Sequence, residues 1–381
     1  MRSKSETETP FNPSSESIIT INPTCLTPEQ SLFLIDFLEG DESPEVYSKD
    51  TVYTFAQFKF KFTHELNWRH RKDGISECFE VIKDTRAGSG KFASVDNIEG
   101  KLIFKESGLE FIPVHLKPQK ERVRKFIFFK KDKEEAQWRK SIKEEYKRTR
   151  QAGHLNIKEP VFYKDKNELY AYFFIKKAPG PTLHDLLYGD AKQPLDTATR
   201  KAISLAIINA YIDQVEMKGL VHNDLSLRNI MVDLSSPQRP RVTFIDFAFA
   251  KKVHKNDAGG VIRGTPLYMA PERFVGDGSS TASDVFALGH ILAEIWGGQR
   301  VIPSARSGIR GIYLANKKGT FDSELIHVEA SDREKIVGGL LQMISPNPED
   351  RPVPEEVKDI FITSPQQLAE PTVAGSMNYP S

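Results

Sequence analysis

Three oxygen-bearing side chains at fixed spacing are the most chemically telling feature of this sequence. The stretch Val221-His222-Asn223-Asp224-Leu225-Ser226-Leu227-Arg228-Asn229-Ile230-Met231-Val232 sets a carboxylate, Asp224, and a carboxamide, Asn229, between apolar, strand-like runs. Val242-Thr243-Phe244-Ile245-Asp246-Phe247-Ala248 ends another such run in a second carboxylate. Runs that end in acceptors, with an amide oxygen between them, can converge on one point. Donors of this kind suit Mg²⁺, which binds through one or two carboxylates and phosphates and retains waters. An aspartate within reach of a hydroxyl can also act as a general base, contributing roughly 10²–10⁴-fold. One Asp on a loop is ordinarily a turn or cap residue. Three donors in this order, flanked by these runs, carry chemistry.

A second feature lies upstream. Gly88-Ser89-Gly90-Lys91-Phe92-Ala93-Ser94-Val95 is a glycine turn whose backbone amides can approach phosphate closely. Taken alone it reads as a plain β-turn. A Walker-type loop is excluded, because no Ser or Thr follows Lys91 and Thr85 occupies the first glycine site.

These residues need elements to position them. From Phe79 to about Lys131 the pattern is one of short β-type runs punctuated by glycine. Glu134 to Arg150 is charged, free of Gly and Pro, and compatible with a helix. Two further strand-like runs follow, Pro160 to Tyr163 and Leu169 to Ile175. The second half is mostly helical: Leu205, Ile208, Ile212 and Val215 recur at spacings of three and four, and Phe286, Ile291, Leu292, Ile295 and Trp296 mark another buried helix. A β-rich first half and a helical second half predict an α+β fold of two lobes with a cleft between them. Ahead of these, Thr27-Pro28-Glu29-Gln30 opens a short helix with a capping box, and residues 51–64 alternate as in a strand or hairpin.

At this point the sequence resembles the eukaryotic-type protein kinase family, in a divergent, Ser/Thr-like form. The family's catalytic loop, H-R-D-L-x-x-x-N, and its metal loop, D-F-G, fall on Asp224, Asn229 and Asp246. The resemblance implies that Asp224 is the catalytic base and that Asn229 and Asp246 hold Mg²⁺. It implies that Gly88, Ser89, Gly90, Lys91, Ala93 and Val95 form the loop over the ATP phosphates, with Ala93 at the third glycine. Gly153-His154-Leu155-Asn156-Ile157 resembles the turn after the family's N-lobe helix, which makes Glu145 the helix glutamate and Lys125 the nucleotide lysine. Lys105 and Lys130 are rivals for that lysine, and Glu144 for the glutamate. Lys125 lies farther from the glycine turn than usual, so an insertion between strands is expected. Gly264-Thr265-Pro266-Leu267-Tyr268-Met269-Ala270-Pro271-Glu272 is similar to the substrate-side loop. Thr265 would help position substrate and catalytic loop, Glu272 would pair with Arg351, and Asp284 would brace the catalytic-loop backbone. Ala178-Pro179-Gly180-Pro181-Thr182-Leu183 resembles the hinge exit, with Ile175 behind the adenine.

The departures from the family pattern have consequences. Asn223 stands where an arginine ordinarily grips a phosphorylated activation loop, and no Ser, Thr or Tyr lies between Asp246 and Gly264. Both halves of the usual phospho-switch are missing. The enzyme is therefore expected to be active as made, or controlled by a partner or by its N-terminal extension. Ser226 replaces a lysine on the γ-phosphate, and Arg228 is expected to supply that charge. Ala248 replaces a glycine and would stiffen the metal loop.

The bulk numbers agree. The chain has 381 residues, 39% of them hydrophobic, enough for a catalytic domain of roughly 250–300 residues with flanks. Its 53 basic and 52 acidic residues nearly cancel, which gives no argument for nucleic acid or membrane as partner. The stretch from Lys117 to Arg150 is basic, a solvated surface or a docking face for an acidic partner. Two cysteines form no disulfide or metal framework, and no run approaches the length of a membrane span, which predicts a cytoplasmic protein. The divergence also resembles kinases that some intracellular bacteria deliver into host cells. Residues 1–77 read as a partly disordered extension, 78–362 as the kinase domain with lobes at about 78–176 and 177–362, and 363–381 as a flexible tail. The expected partners are ATP, Mg²⁺ and a protein substrate, with a regulatory partner on the extension or the basic N-lobe surface. A pseudokinase scaffold and a small-molecule kinase of the aminoglycoside or choline-kinase type are the alternatives. The segment from Gly264 to Glu272 speaks against the second.

Overall fold

The computed structural model describes residues 18–38, 44–49, 51–69, 78–89, 93–114, 121–129, 134–165, 168–253, 263–276, 278–297, 308–326 and 328–362. The chain divides into two compact units, Met1–Lys177 and Ala178–Ser381. The first is strand-rich and the second helical, the α+β order read from the sequence.

The first unit opens with β1 (Ile18–Ile21), α1 (Pro28–Leu38), β2 (Val46–Tyr47), β3 (Tyr53–Phe55), β4 (Phe58–Phe62) and β5 (Glu65–Arg69). It continues with β6 (Cys78–Ser89), β7 (Ala93–Lys105), β8 (Gly108–Pro113), β9 (Arg122–Phe128), α2 (Glu135–Ala152), β10 (Val161–Asp165) and β11 (Glu168–Lys176). The capping box of α1 is present: Gln30 N donates to Thr27 Oγ1 and Thr27 N to Gln30 Oε1, each at 3.2 Å. The main sheet runs β10-β11-β9-β7-β6-β5-β2, with β8 paired to β7, and its pairings are antiparallel.

The insertion expected between glycine turn and lysine is visible here. The near half of β7 pairs β9, while its far half, Gly100–Lys105, pairs β8. The extra residues thus form a hairpin beyond the site and leave the core register intact. Of residues 44–69, read from sequence as extension, β2 and β5 are part of the same sheet, whereas β3 and β4 form a separate three-stranded sheet with β1. Strand β5 pairs β6 from Glu65↔Ile82 to Arg69↔Cys78. Ile21, Leu34, Phe60, Phe62 and Leu66 share one buried cluster with Phe79, Val81 and Leu102.

Period-two alternation gives β9 two different faces. Ile127 packs under α2 with Trp138, Ile142 and Phe173. Phe126 turns the other way, toward Ile82, Ile98, Tyr172 and Phe174. The sheet curls on that side, since Tyr172 Oη on β11 donates to the Trp68 carbonyl of β5 at 3.0 Å.

The second unit contains α3 (Leu183–Tyr188), α4 (Thr197–Gln214), β12 (Leu220–Val221), β13 (Ile230–Asp233), β14 (Arg241–Phe244) and β15 (Lys251–Lys252). After these come α5 (Pro271–Phe274), α6 (Thr281–Ile295), α7 (Gly308–Lys318), α8 (Ala330–Met343) and α9 (Pro354–Phe361). Ser280 and Ser283 form the capping box of α6, and Asp196 caps α4 through Thr199 N at 2.7 Å. The buried face of α4 is broader than the periodicity implies: Ile203, Ile207 and Tyr211 are fully enclosed, whereas Leu205 is half-exposed. Helix α6 is buried nearly all round, including Phe286, Ile291, Leu292 and Ile295, and its C-cap residue Trp296 is buried as well. Two short antiparallel ladders, β12–β15 and β13–β14, bracket the segment from His222 to Asn229. Among the described residues no helix is long and apolar enough to cross a membrane.

Candidate active site

In the first unit the register of β7 and β9 sets the geometry. Val95 lies opposite Lys125, Ala93 opposite Ile127, and Gly88 opposite Val95. The two ends of the glycine turn therefore adjoin the lysine, while Gly90 and Lys91 lie outside the described residues. Lys125 Nζ donates to Glu145 Oε1 of α2 at 2.7 Å, both side chains being largely buried. Of the alternatives, Lys105 pairs with Glu110, Glu144 pairs with Lys147 and Arg148, and Lys130 lies outside the described residues. Ile175 of β11, opposite Val123 of β9, packs with the cluster under α2.

In the second unit Asp224 is held from several sides. Thr265 gives its Oδ1 two bonds, from N at 2.8 Å and from Oγ1 at 2.7 Å. Asn229 Nδ2 donates to the Asp224 carbonyl at 2.7 Å and to its Oδ2 at 3.2 Å. Burial pushes the Asp224 carboxyl above the usual range, the Thr265 bond opposes this, and the Asp246 charge adds to it. Asp246 follows β14, and the Ile245 amide donates to the Asn229 carbonyl at 3.0 Å, which joins the two acceptor-bearing runs.

Asp246 is in the left-handed region, φ 63°, and accepts from the Ala248 amide at 3.3 Å. The glycine-favouring conformation thus falls on Asp246, and Ala248 is not among the residues with positive φ. The stiffening expected from alanine at 248 has no structural basis in this arrangement.

Below this loop, Asp284 of α6 accepts from the amides of His222 at 2.6 Å and Asn223 at 3.0 Å, and from Tyr211 Oη at 3.1 Å. Full burial raises its carboxyl to about 6, against the pull of those donors. Glu272 receives both terminal nitrogens of Arg351, at 2.7 and 2.9 Å, the bidentate geometry of a strong pair. Arg228 is placed differently from the other candidates. It is exposed, with Nη2 3.0 Å from His184 Nε2, and no hydrogen bond or ion pair joins it to Asp224 or Asp246.

Among the described residues no group of three His, Cys, Asp or Glu side chains forms a metal cage. Asp224, Asn229 and Asp246 offer oxygen donors of the type that suits Mg²⁺, which commonly takes only one or two protein carboxylates.

The protein kinase domain family matches residues 108–360, about two thirds of the chain. The chain belongs to this family. Its fold is the bilobal kinase fold, with the strand-rich unit first and the helical unit second.

Among curated proteins, this kinase chain is 27% identical over 246 residues to a probable LRR receptor-like serine/threonine-protein kinase of Arabidopsis thaliana, covering 58% of this chain and 25% of that protein. It is 34% identical over 123 residues to a dual serine/threonine and tyrosine protein kinase of Gallus gallus, covering 32% of this chain and 12% of that one. It is 28% identical over 214 residues to the probable serine/threonine-protein kinase fhkA of Dictyostelium discoideum, covering 55% of this chain and 33% of that one. The kinase chain thus spans a third or less of the length of these relatives.

Two groups of residues near the site carry no motif. Arg273 donates to the backbone on both sides of the Asp224–Thr265 contact. Arg124, beside Lys125 in sequence, meets Asp96, Asn67 and Glu65. The positions of these partners in sequence contain no signal; only the strand register brings them together.

Proposed function

We propose that this kinase transfers the γ-phosphate of ATP to serine or threonine hydroxyls of proteins, with Asp224 as the base. The observation that carries this reading is the convergence on Asp224 of Asn229 and of both donors of Thr265. Thr265 belongs to the substrate-side segment that the family uses for polypeptide substrates. That same contact favours a protein substrate over a small molecule.

In this reading the second unit does the proton chemistry. Asp224 Oδ1 is fixed by Thr265, and Oδ2, which accepts from Asn229 at 3.2 Å, keeps a second lone pair to orient the substrate hydroxyl and take its proton. Asn229 and Asp246 would hold Mg²⁺, which supplies neutralisation of phosphate charge when bound. The first unit grips the nucleotide: the Gly88 end of the glycine turn covers the phosphates, and Lys125, oriented by Glu145, contacts them. Positioning and charge neutralisation supply most of the acceleration, because the transition state of phosphoryl transfer is loose. Arg228 can join the transferring group only by leaving His184. With no hydroxyl residue between Asp246 and Gly264, control falls to a partner or to residues 18–69, whose strand β5 shares a sheet with β6.

The test is transfer of labelled phosphate to a generic basic protein by the parent chain and by Asp224→Asn. A loss of roughly 10²–10⁴-fold in turnover, with Mg-ATP still shifting the thermal midpoint, is expected. Equal turnover of parent and variant would refute the assignment of the base.

A further inference from the structure

Arg273 follows Glu272 in α5 and takes no part in the chemistry proposed above, yet its guanidinium is committed to backbone at the site. Nη1 donates to the Asn223 carbonyl at 2.6 Å and Nη2 to the Arg263 carbonyl at 2.9 Å. Asn223 immediately precedes Asp224, and Arg263 stands two residues ahead of Thr265. The arginine therefore ties the two strands of chain whose side chains meet at the Asp224 carboxylate.

The Asn223 carbonyl is a junction. Asn223 is in the left-handed region, φ 66°, an orientation that an asparagine holds at some cost. Gly264, φ 111°, comes so close that a Cβ there would lie 2.7 Å from the same oxygen. On the opposite side Asp284 holds the Asn223 amide at 3.0 Å, and Asn223 Nδ2 donates to the Phe249 carbonyl at 3.2 Å. The buried Asn223 Oδ1 has no hydrogen-bond partner among the described residues. What fixes the far side of this peptide is Arg273. Burial works against the charge of this guanidinium and lowers its pKa, and the charges of Asp284, Asp224 and Glu272 offset part of that cost.

We propose that Arg273 is a positioning residue: it locks the peptide ahead of Asp224 to the Arg263–Thr265 segment, so that the base is aligned without any phosphate group. This rests on the reading of Asp224 as the base. It assigns to an internal cation the task that the missing arginine at 223 and the missing phosphosite cannot perform.

The experiment uses the full chain and compares parent, Arg273→Met and Arg273→Lys in ATP-dependent phosphorylation of the same basic protein. A lost hydrogen bond to a charged group predicts a fall in kcat of about 10- to 100-fold for Arg273→Met, with KM for ATP within about twofold of parent. Arg273→Lys, which keeps one donor and the charge, recovers part of the rate. Hydrogen exchange supplies a second readout that needs no turnover. Amides 222–226 and 263–265 lose protection in Arg273→Met while those of β13 and β14 keep theirs. Unchanged kcat, a loss confined to KM for ATP, or uniform protection overturns the proposal. If Arg273→Met does not fold, a Lys variant with parental melting, parental kcat and parental protection overturns it. An inert parent overturns the function as well, whereas an active parent with an equally active Arg273→Met overturns this inference alone.

Discussion

Two arginines are buried among the described residues, one in each unit, and they are held in opposite ways. Arg351 faces one carboxylate, Glu272, in bidentate fashion, and its remaining donors go to the carbonyls of Ser345, Ala282 and Pro346. Arg124 faces two carboxylates and a carboxamide. Nε and Nη2 bind Asp96 Oδ2 at 3.0 and 2.7 Å, Nη1 binds Asn67 Oδ1 at 2.7 Å, and Glu65 completes the ring. The first arrangement joins segments of the helical unit. The second joins β9, which carries Lys125, to β7 and to β5 of the N-terminal segment. The difference is one of reach. The Arg351 pair stays among segments of the second unit. The Arg124 ring fastens β9 across the sheet to β5, the strand next to the edge strand β2.

Arg351→Met and Arg124→Met should have the largest effects on stability, about 3–5 kcal/mol each, because each strands buried carboxylate charge. Denaturant unfolding checks this, and an effect below about 1 kcal/mol at 124 would mean that the extension is only loosely fastened. Glu65→Gln sharpens the comparison. Arg124 retains Asp96 and Asn67, so the loss should be about 1–3 kcal/mol, and it should come with a raised KM for ATP if β5 holds β9 in place. An unchanged KM would reduce β5 to a purely structural strand.

Thr265→Val addresses the second unit alone. The Thr265 hydroxyl favours the ionised form of Asp224 and opposes the upward push of burial. Removing it raises the pKa further, so the acid limb of kcat/KM should move to higher pH, with a rate loss of about tenfold at neutral pH. A limb that stays put or moves down would contradict the role of Asp224. The smallest effect is expected at Arg228. Its guanidinium rests on His184, so Arg228→Ala should change kcat by less than about threefold unless the arginine turns inward during catalysis. A large loss would establish the phosphoryl role.

Asp284 adds a condition on stability. Its folded pKa, about 6, exceeds the ordinary carboxylate value, so the folded state binds the proton more tightly than the unfolded chain. Its contribution is present in full below the unfolded pKa and is lost as pH rises through about 6. At neutral pH the carboxylate is a cost, offset by the His222 and Asn223 amides and the Tyr211 hydroxyl.

The sequence by itself determined the motifs whose parts lie close together in the chain. The loop from His222 to Asn229, the segment from Gly264 to Glu272 and the capping boxes are local, so residue type and spacing specify them. It also determined that a strand-rich half precedes a helical one, because periodicity is a local property. The tertiary structure decided everything that depends on strand register and on backbone donors. Register set Val95 beside Lys125, carried the inserted hairpin away from the site, and brought Glu65, Asp96 and Arg124 together from three strands. Arg273 was silent in the sequence because its partners are carbonyls, which every residue possesses and no motif records. The direction of Arg228 was silent for a related reason: a cation beside a catalytic loop can point either way, and only the fold set it against His184.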